Sequence, residues 1–502
     1  MVIDLEKIQS FREKNTAFFR FKKLDKETYL ITNDIAKFSY LTKDEFGEFI
    51  AGNIKEGEKY DELAQKYFIK TENYEKKMSP LFAKKNQFLA YGPTLHIVVT
   101  TLRCNHKCQY CHAAVAPMSA KNMDMTMDVA KKVLDTVFFT SSPNLTIEFQ
   151  WWESLVNWDI VKYMVGEAYI RWEYLEKHVT LALVTNLSLM DDDKMNFLIE
   201  NNVHLSTSLD GNELVHNYNR TYTDGNSFEQ VTYWIKRINE EYIKRNVRNS
   251  AGGYQKVGAL LTVTKKTLPF YKEVIDTYIA LWLDGIFLRP LNPYGFAAAD
   301  IKNLWYSMDD FIEFYLKSME YILECNKTGH GFREQLSSIY LSKILTEDDP
   351  NFLDERSPCG ACIWQVAYNY DGRIYSCDEG RMLGRMGIDD FQMTDMTNDP
   401  EETYKNMMTS PTTKIMVQAS TLDGLPGYNE DVYKPYIWVC PIHSFKTTGN
   451  IYPLYATDHK RKLGTAVLDY LFWKMRDPAC KEIFEKWLGA EKNTVTSQCE
   501  TV

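Results

Sequence analysis

No stretch of the sequence approaches the roughly 20 apolar residues that a membrane-spanning helix needs. The opening residues Met1 to Lys7 lack the basic stretch and apolar run of a secretory signal, so the expected location is the cytoplasm. Positive charge is not in excess: 58 Lys and Arg face 68 Asp and Glu, a net charge of −10. That argues against broad electrostatic binding of nucleic acid or an anionic membrane. Ten cysteines in 502 residues are too few for a disulfide scaffold. No internal repeat of fixed period is present.

What is there suits a globular chain of roughly three domains with a sizeable core. An aromatic content of 14%, with 32 Tyr, suggests large packed or peptide-facing surfaces. The cysteines fall into groups, which favours metal or redox chemistry over isolated thiols. Cys104, Cys108 and Cys111 are separated by three and then two residues, directly after the apolar run 95–100. Three thiolates at the end of a strand can hold three irons of a [4Fe–4S] cluster and leave the fourth iron open for a small molecule. Zinc would need a fourth ligand nearby, for which His106 and His112 are candidates. Cys359, Cys362 and Cys377, with Cys440, form a second group, whereas Cys325, Cys480 and Cys499 read as ordinary thiols.

Taken in order, residues 1–90 form a small N-terminal α+β unit. Two short strands are expected near 18–22 and 28–32, with a turn at Asn33 and Asp34. A helix should open at Thr42, which has Glu45 three residues on as a capping partner, and another should follow over 61–68. From Thr94 onward, strands expected at 95–101, 145–150, 179–185, 203–209, 257–263 and 285–290 alternate with helices over 127–139, 159–176, 194–200, 227–242 and 271–283. Such alternation predicts an α/β fold, here a partial (β/α)6 TIM-type barrel over 91–305 with its active residues at the C-terminal strand ends. A helical linker over 306–350 should lead to a loop-rich, cysteine-bearing extension over 351–450, with turns at Asp371–Gly372 and at 424–427. Helices through Trp487 and a polar disordered tail complete the segment 451–502.

The Cys-x3-Cys-x-Tyr-Cys pattern, with Tyr110 before the third cysteine, resembles the radical S-adenosylmethionine (SAM) superfamily. The resemblance implies a [4Fe–4S] cluster on Cys104, Cys108 and Cys111 that binds SAM, with Tyr110 beside it. Where the superfamily carries Gly-Gly-Glu-Pro to receive the SAM amino group, this chain has Trp151, Trp152, Glu153 and Ser154, so only Glu153 matches. Asn186 and Ser208 correspond to contacts with the sugar or carboxylate, and Arg220, following His216, to a carboxylate clamp. Cys359, Cys362 and the Gly372-x4-Cys377 run resemble the auxiliary-cluster SPASM extension of peptide and protein maturases. Of four further cysteines in that pattern only Cys440 is present; Tyr428, Asp431 and Ile437 stand in the other places. The family's ligand order implies one auxiliary [4Fe–4S] cluster on Cys359, Cys362, Cys377 and Cys440 and the loss of a second, with a structural zinc quartet as the alternative.

Residues 28–34, the three-cysteine core, 288–296 and 367–382 most resemble the radical SAM maturase of the His-Xaa-Ser system. This implies an enzyme that reductively cleaves SAM to modify a ribosomal precursor peptide, aided by an electron donor and a second radical SAM maturase. The N-terminal unit loosely resembles the winged-helix peptide-recognition domains found beside such enzymes, and reads equally as a structural extension. Two other readings stay open: a catalytically impaired scaffold that binds the peptide, motivated by Trp151 and Trp152, and a zinc-stabilised protein without radical chemistry.

Overall fold

The computed structural model describes residues 15–150, 153–249, 252–346, 349 and 355–499. The N-terminal unit is a three-stranded antiparallel sheet, β1 (Arg20–Lys23), β2 (Thr28–Thr32) and β3 (Phe38–Thr42), followed by helices Lys43–Ala51, Glu58–Gln65 and Tyr74–Lys85. β3 is absent from the sequence expectation. Thr42 and Glu45 form the anticipated reciprocal cap, with Thr42 N–H donating to Glu45 Oε2 at 2.7 Å. The sheet packs on the far end of the chain: Tyr40 Oη donates to the Phe472 carbonyl at 2.8 Å and Thr32 Oγ1 to that of Val432 at 2.6 Å.

The main body is a mixed α/β structure around a parallel-rich sheet of nine strands. Its first six members in chain order are β4 (Leu95–Val98), β6 (Asn144–Phe149), β7 (His178–Val184), β8 (Val203–Ser208), β10 (Gly258–Thr262) and β12 (Leu288–Arg289). Each is parallel to the one before it, so their C-terminal ends open on the same side. Alternation sets the faces: Leu145, Ile147 and Phe149 of β6 are buried, as are Val203, Leu205 and Thr207 of β8. Helix Met127–Phe139 buries Ala130, Val133, Leu134 and Val137, and helix Trp158–Leu175 buries Ile160, Val161, Met164 and Val165. Both carry the apolar spacing of an amphipathic helix. Two short strands, β5 (His106–Cys108) and β9 (Arg220–Tyr222), pair antiparallel outside the sheet.

The strand expected at 285–290 is divided. β11 (Gly285–Ile286) pairs with β13 (Arg333–Glu334), while β12 joins β10. The Glu334 carboxylate accepts the Leu288 N–H at 3.1 Å where the two pieces part. The helices of 306–350 are core elements rather than a spacer. Helix Met308–Lys327 buries Phe311, Phe314, Tyr315 and Met319, and helix Gln335–Leu345 is buried from Leu336 through Ile344.

The region 351–450 also departs from expectation, because it continues the main sheet. β14 (Gln365–Tyr368) lies parallel to β4 on its free side, and β15 (Arg373–Tyr375) and β16 (Gln392–Asp395) follow antiparallel. Pro400, Pro411 and Pro441, which contribute to its broken appearance in sequence, occupy first-turn positions of helices, where a missing N–H costs nothing. The final helix, Pro478–Cys499, runs beyond Trp487 through the stretch expected to be disordered. Its Ala, Glu and Lys residues are strong helix formers.

Candidate active site and the second cysteine set

The first cysteine loop leaves β4 at the sheet's C-terminal edge. Arg103 clamps its entry: Nε and Nη2 reach the two Asp124 carboxylate oxygens at 2.8 and 2.5 Å, and Nη1 donates to the Met118 carbonyl at 3.0 Å. Such a bidentate pair fixes direction as well as distance. Cys108 lies in β5 opposite Arg220 of β9, and the Cys111 N–H turns back to the Cys108 carbonyl at 3.1 Å. The three thiols share one electrostatic environment. Burial, then the neighbouring Cys108 and Glu153, push Cys104 well above the ordinary thiol range. Burial pushes Cys108 up to about 12 against the opposing Arg220 charge, and it also raises Cys111. Backbone N–H groups of Val115, Ala113 and Ala114 point at the Cys111 sulfur.

Gly295 closes over this loop. Its φ is +53°, and a Cβ there would stand 2.4 Å from the carbonyl oxygens of both Cys111 and His112. Only glycine tolerates that approach. The next residue, Phe296, donates its N–H to the Cys111 carbonyl at 2.8 Å.

The strand-end residues are brought together, with roles that spacing did not disclose. Glu153 is fully buried, and its carboxylate accepts Leu155 N–H at 3.1 Å, Thr185 Oγ1 at 2.6 Å and Asn186 N–H at 2.8 Å. It ties the end of β6 to the end of β7, and burial raises its pKa against these three bonds. The Asn186 amide donates to Asn105 Oδ1 at 3.0 Å, faces His106 Nδ1 at 3.0 Å and approaches Cys104 Sγ at 3.7 Å, so it supports the loop from behind. Ser208 ends β8 half-buried. Arg220 Nη1 donates to Tyr110 Oη at 2.8 Å, which donates in turn to Asp210 Oδ1 at 3.1 Å. Burial lifts the Asp210 carboxyl to about 6 despite the Arg220 charge. Arg220 Nε is buried with no hydrogen-bond partner among the described residues. Trp151 and Trp152 lie outside those residues.

Both histidines considered for zinc are engaged elsewhere. His106 stacks on Tyr222 with ring centroids 4.5 Å apart, and its Nε2 meets Ser227 Oγ at 3.0 Å. The same hydroxyl lies 2.9 Å from Nε2 of His216. His112 Nε2 accepts the Asn292 N–H at 3.3 Å. Among the described residues, no three Cys, His, Asp or Glu side chains gather at the spacing of a single metal ion.

The second cysteine set surrounds a small cavity lined by Cys359, Cys377, Cys440, Glu379 and Lys460 among others. Cys362 is not part of its lining. Its N–H is held by the carbonyls of Gln365 at 3.0 Å and Ser376 at 2.7 Å. The positions that lack the further cysteines are filled by other packing. Tyr428 Oη donates to Asp458 Oδ2 at 2.7 Å, Asp431 Oδ2 accepts Tyr455 Oη at 2.9 Å, and Ile437 is buried in the core.

Between the two sets lies a charged interior that the motif reading missed. Asp378, next to Cys377, is held well above the ordinary carboxylate range by burial, against the Arg381 charge, with Glu379 and Glu148 raising it further and Arg289 opposing. Glu148 of β6 is likewise raised by burial. An acidic pair directly after a cysteine that opens a helix was the available signal.

Residues 98–256 match the family model described as the radical SAM superfamily. The matched segment holds the three-cysteine loop and the strand ends around it. Beyond it, the chain is similar to the cysteine-type anaerobic sulfatase-maturating enzyme of Clostridium perfringens (strain ATCC 13124), with 24% identity over 285 residues, 55% of this chain and 71% of that protein. Among solved structures, native anSMEcpe with bound AdoMet and Cp18Cys peptide superposes with a TM-score of 0.61 at 17% identity, covering 77% of this chain and 99% of that one. Streptococcus suis SuiB bound to precursor peptide SuiA gives 0.51 at 14% identity, covering 88% and 98%. At such identities the structural likenesses speak to fold.

A radical SAM domain implies a [4Fe–4S] cluster and SAM, and the loop fits the cluster. Cys108 is buried, Cys104 and Cys111 are half-buried, all three stand on one short loop, and amides point at the Cys111 sulfur. Cysteine binds iron as the thiolate, so iron would enter with release of protons.

Proposed function

We propose that the chain is a radical SAM enzyme that modifies a side chain of a ribosomally made peptide. The observation that carries this reading is the three-thiol loop at the C-terminal end of β4, inside the matched domain. With cluster and SAM bound, the site supplies reductive cleavage of SAM and hydrogen abstraction from the substrate. The chain's own part is to hold and shelter that chemistry. Arg103, Gly295 and Asn186 fix the loop, and the six parallel strands act as the partial barrel.

Peptides bound in two structures of this fold support a peptide partner. The finer reading is a precursor peptide with His-Xaa-Ser repeats, handled in the cytoplasm with an electron donor and a second maturase, the N-terminal unit serving recognition. No helix among the described residues is long and apolar enough to cross a membrane. The AdoMet-bound relatives weigh against a purely scaffolding role. The test is release of 5′-deoxyadenosine by anaerobically reconstituted protein given SAM and a reductant. Release above that of a Cys104→Ala variant is expected; none, with the wild-type cluster intact, would sink the proposal. Substituting Gly at Trp151 and Trp152 should raise SAM affinity if the indoles crowd its pocket.

A further inference from the structure

Behind the first cysteine loop lie four buried side chains, Asn186, His106, Ser227 and His216, joined by hydrogen bonds. The Asn186 side-chain oxygen accepts the Ser188 N–H at 2.8 Å and the Ser188 hydroxyl at 2.5 Å. Its amide nitrogen therefore faces the loop, where Asn105 Oδ1 and His106 Nδ1 each lie 3.0 Å away. Those two acceptors are only 3.3 Å from each other, too close for each to sit on its own one of two diverging N–H bonds. They share one N–H in a three-centre arrangement. The other N–H is left for the Cys104 sulfur, 3.7 Å from the same nitrogen. That sulfur also accepts the His106 backbone N–H at 3.4 Å.

Sharing the Asn186 proton requires a bare Nδ1 on His106. The ring's own proton then sits on Nε2 and is donated to Ser227 Oγ at 3.0 Å. His216 Nδ1 accepts the Asp210 N–H at 3.2 Å, which places that ring's proton on Nε2 as well, 2.9 Å from the same Ser227 oxygen. Ser227 is thus the common acceptor of two ring N–H groups. Stacking on Tyr222, parallel to within 5°, holds the plane of the His106 ring but does not choose which nitrogen carries the proton. The bond at the far nitrogen makes that choice. Without it, a proton on Nδ1 would face the Asn186 amide donor to donor.

We propose that Ser227, holding the His106 and His216 rings, is a positioning residue: it fixes the His106 tautomer, which aims the Asn186 amide at the Cys104 sulfur and raises the reduction potential of the cluster bound there. An N–H bond to a ligating sulfur draws off electron density and favours the reduced cluster. The inference rests on the reading of the first loop as a cluster site, so its test includes an arm that needs no iron.

In the full-length chain before reconstitution, with isotope-labelled histidine, nitrogen resonances report the tautomers. His106 and His216 should both be protonated on Nε2, and Ser227→Ala should move the His106 proton toward Nδ1. A wild-type His106 protonated on Nδ1 overturns the relay whatever the iron content. In the reconstituted protein without SAM, the first-loop signal is the part of the reduced paramagnetic resonance spectrum that Cys104→Ala removes. A wild type without that signal overturns the enzyme reading, and the tuning with it. Given the signal, Asn186→Leu and Ser227→Ala should each shift its midpoint to more negative potential, and Ser227→Thr, which keeps the hydroxyl, should return it toward wild type. Asn186→Ala replaces the leucine variant if that one does not fold. An unchanged potential in the Asn186 and Ser227→Ala variants, even with a lowered melting midpoint, leaves a merely structural role and overturns the proposal.

Discussion

Replacing Glu153 tests whether the strand ends are held by the chain itself. Its carboxylate is the acceptor for three buried donors: the Thr185 hydroxyl and the N–H groups of Asn186 and Leu155. Each donor stranded by Glu153→Ala costs about 1–3 kcal/mol. Removing a buried acid also relieves its own desolvation, which offsets part of that loss, so a net of about 3–5 kcal/mol is expected. For a domain of roughly 200 residues, each kcal/mol shifts the midpoint by about 2–4 °C, giving a drop of about 6–20 °C. Glu153→Gln cannot satisfy all three donors. Whichever way its amide turns, its NH2 faces a backbone N–H, so an intermediate loss of about 1.5–3 kcal/mol is expected. The assay is thermal unfolding of the iron-loaded protein, paired with a SAM titration. If Glu153 served chiefly to contact SAM, Glu153→Gln would lose SAM affinity while keeping its midpoint. A Glu153→Ala midpoint within about 2 °C of wild type would refute the keystone role.

Gly295→Ala should disturb the first cysteine loop, since its Cβ would meet two backbone oxygens at 2.4 Å and left-handed backbone adds about 1–2 kcal/mol. Iron per chain should fall; full iron with an unchanged melting midpoint would contradict the contact. The N-terminal unit should weaken in acid through Glu62. Burial would raise this carboxyl, but hydrogen bonds from Lys59 at 2.7 Å, Lys66 at 2.8 Å and Ser39 at 2.6 Å outweigh it and hold the pKa at about 2. A lowered folded pKa stabilises above the ordinary value of 4.5, and that contribution is lost as pH falls toward 2. The shift corresponds to at most about 3.4 kcal/mol, and with the side chain 32% exposed about 1–2 kcal/mol is expected after screening. Hydrogen exchange should show Glu62→Gln weaker than wild type at pH 6 and the gap closing by about pH 3. A pH-independent gap would contradict this account.

The sequence by itself determined the features written in local order. The strand–helix alternation, the Thr42–Glu45 cap and the three-cysteine loop after β4 depend on neighbours only a few residues away. Periodicity and capping report such neighbours directly. Tertiary structure decided what lies between distant segments. β14 joins β4 across 270 residues, and no local signal names a strand's partner. Glu153 is marked by its motif, yet only the fold shows that Thr185, Asn186 and Leu155 already occupy its oxygens. At the second site, spacing grouped Cys362 with Cys359 as equals. Cys362 takes a left-handed backbone, and Glu379 lines the cavity beside Cys359. A side chain's direction is set by backbone torsions and packing, which the count of residues between two cysteines does not contain.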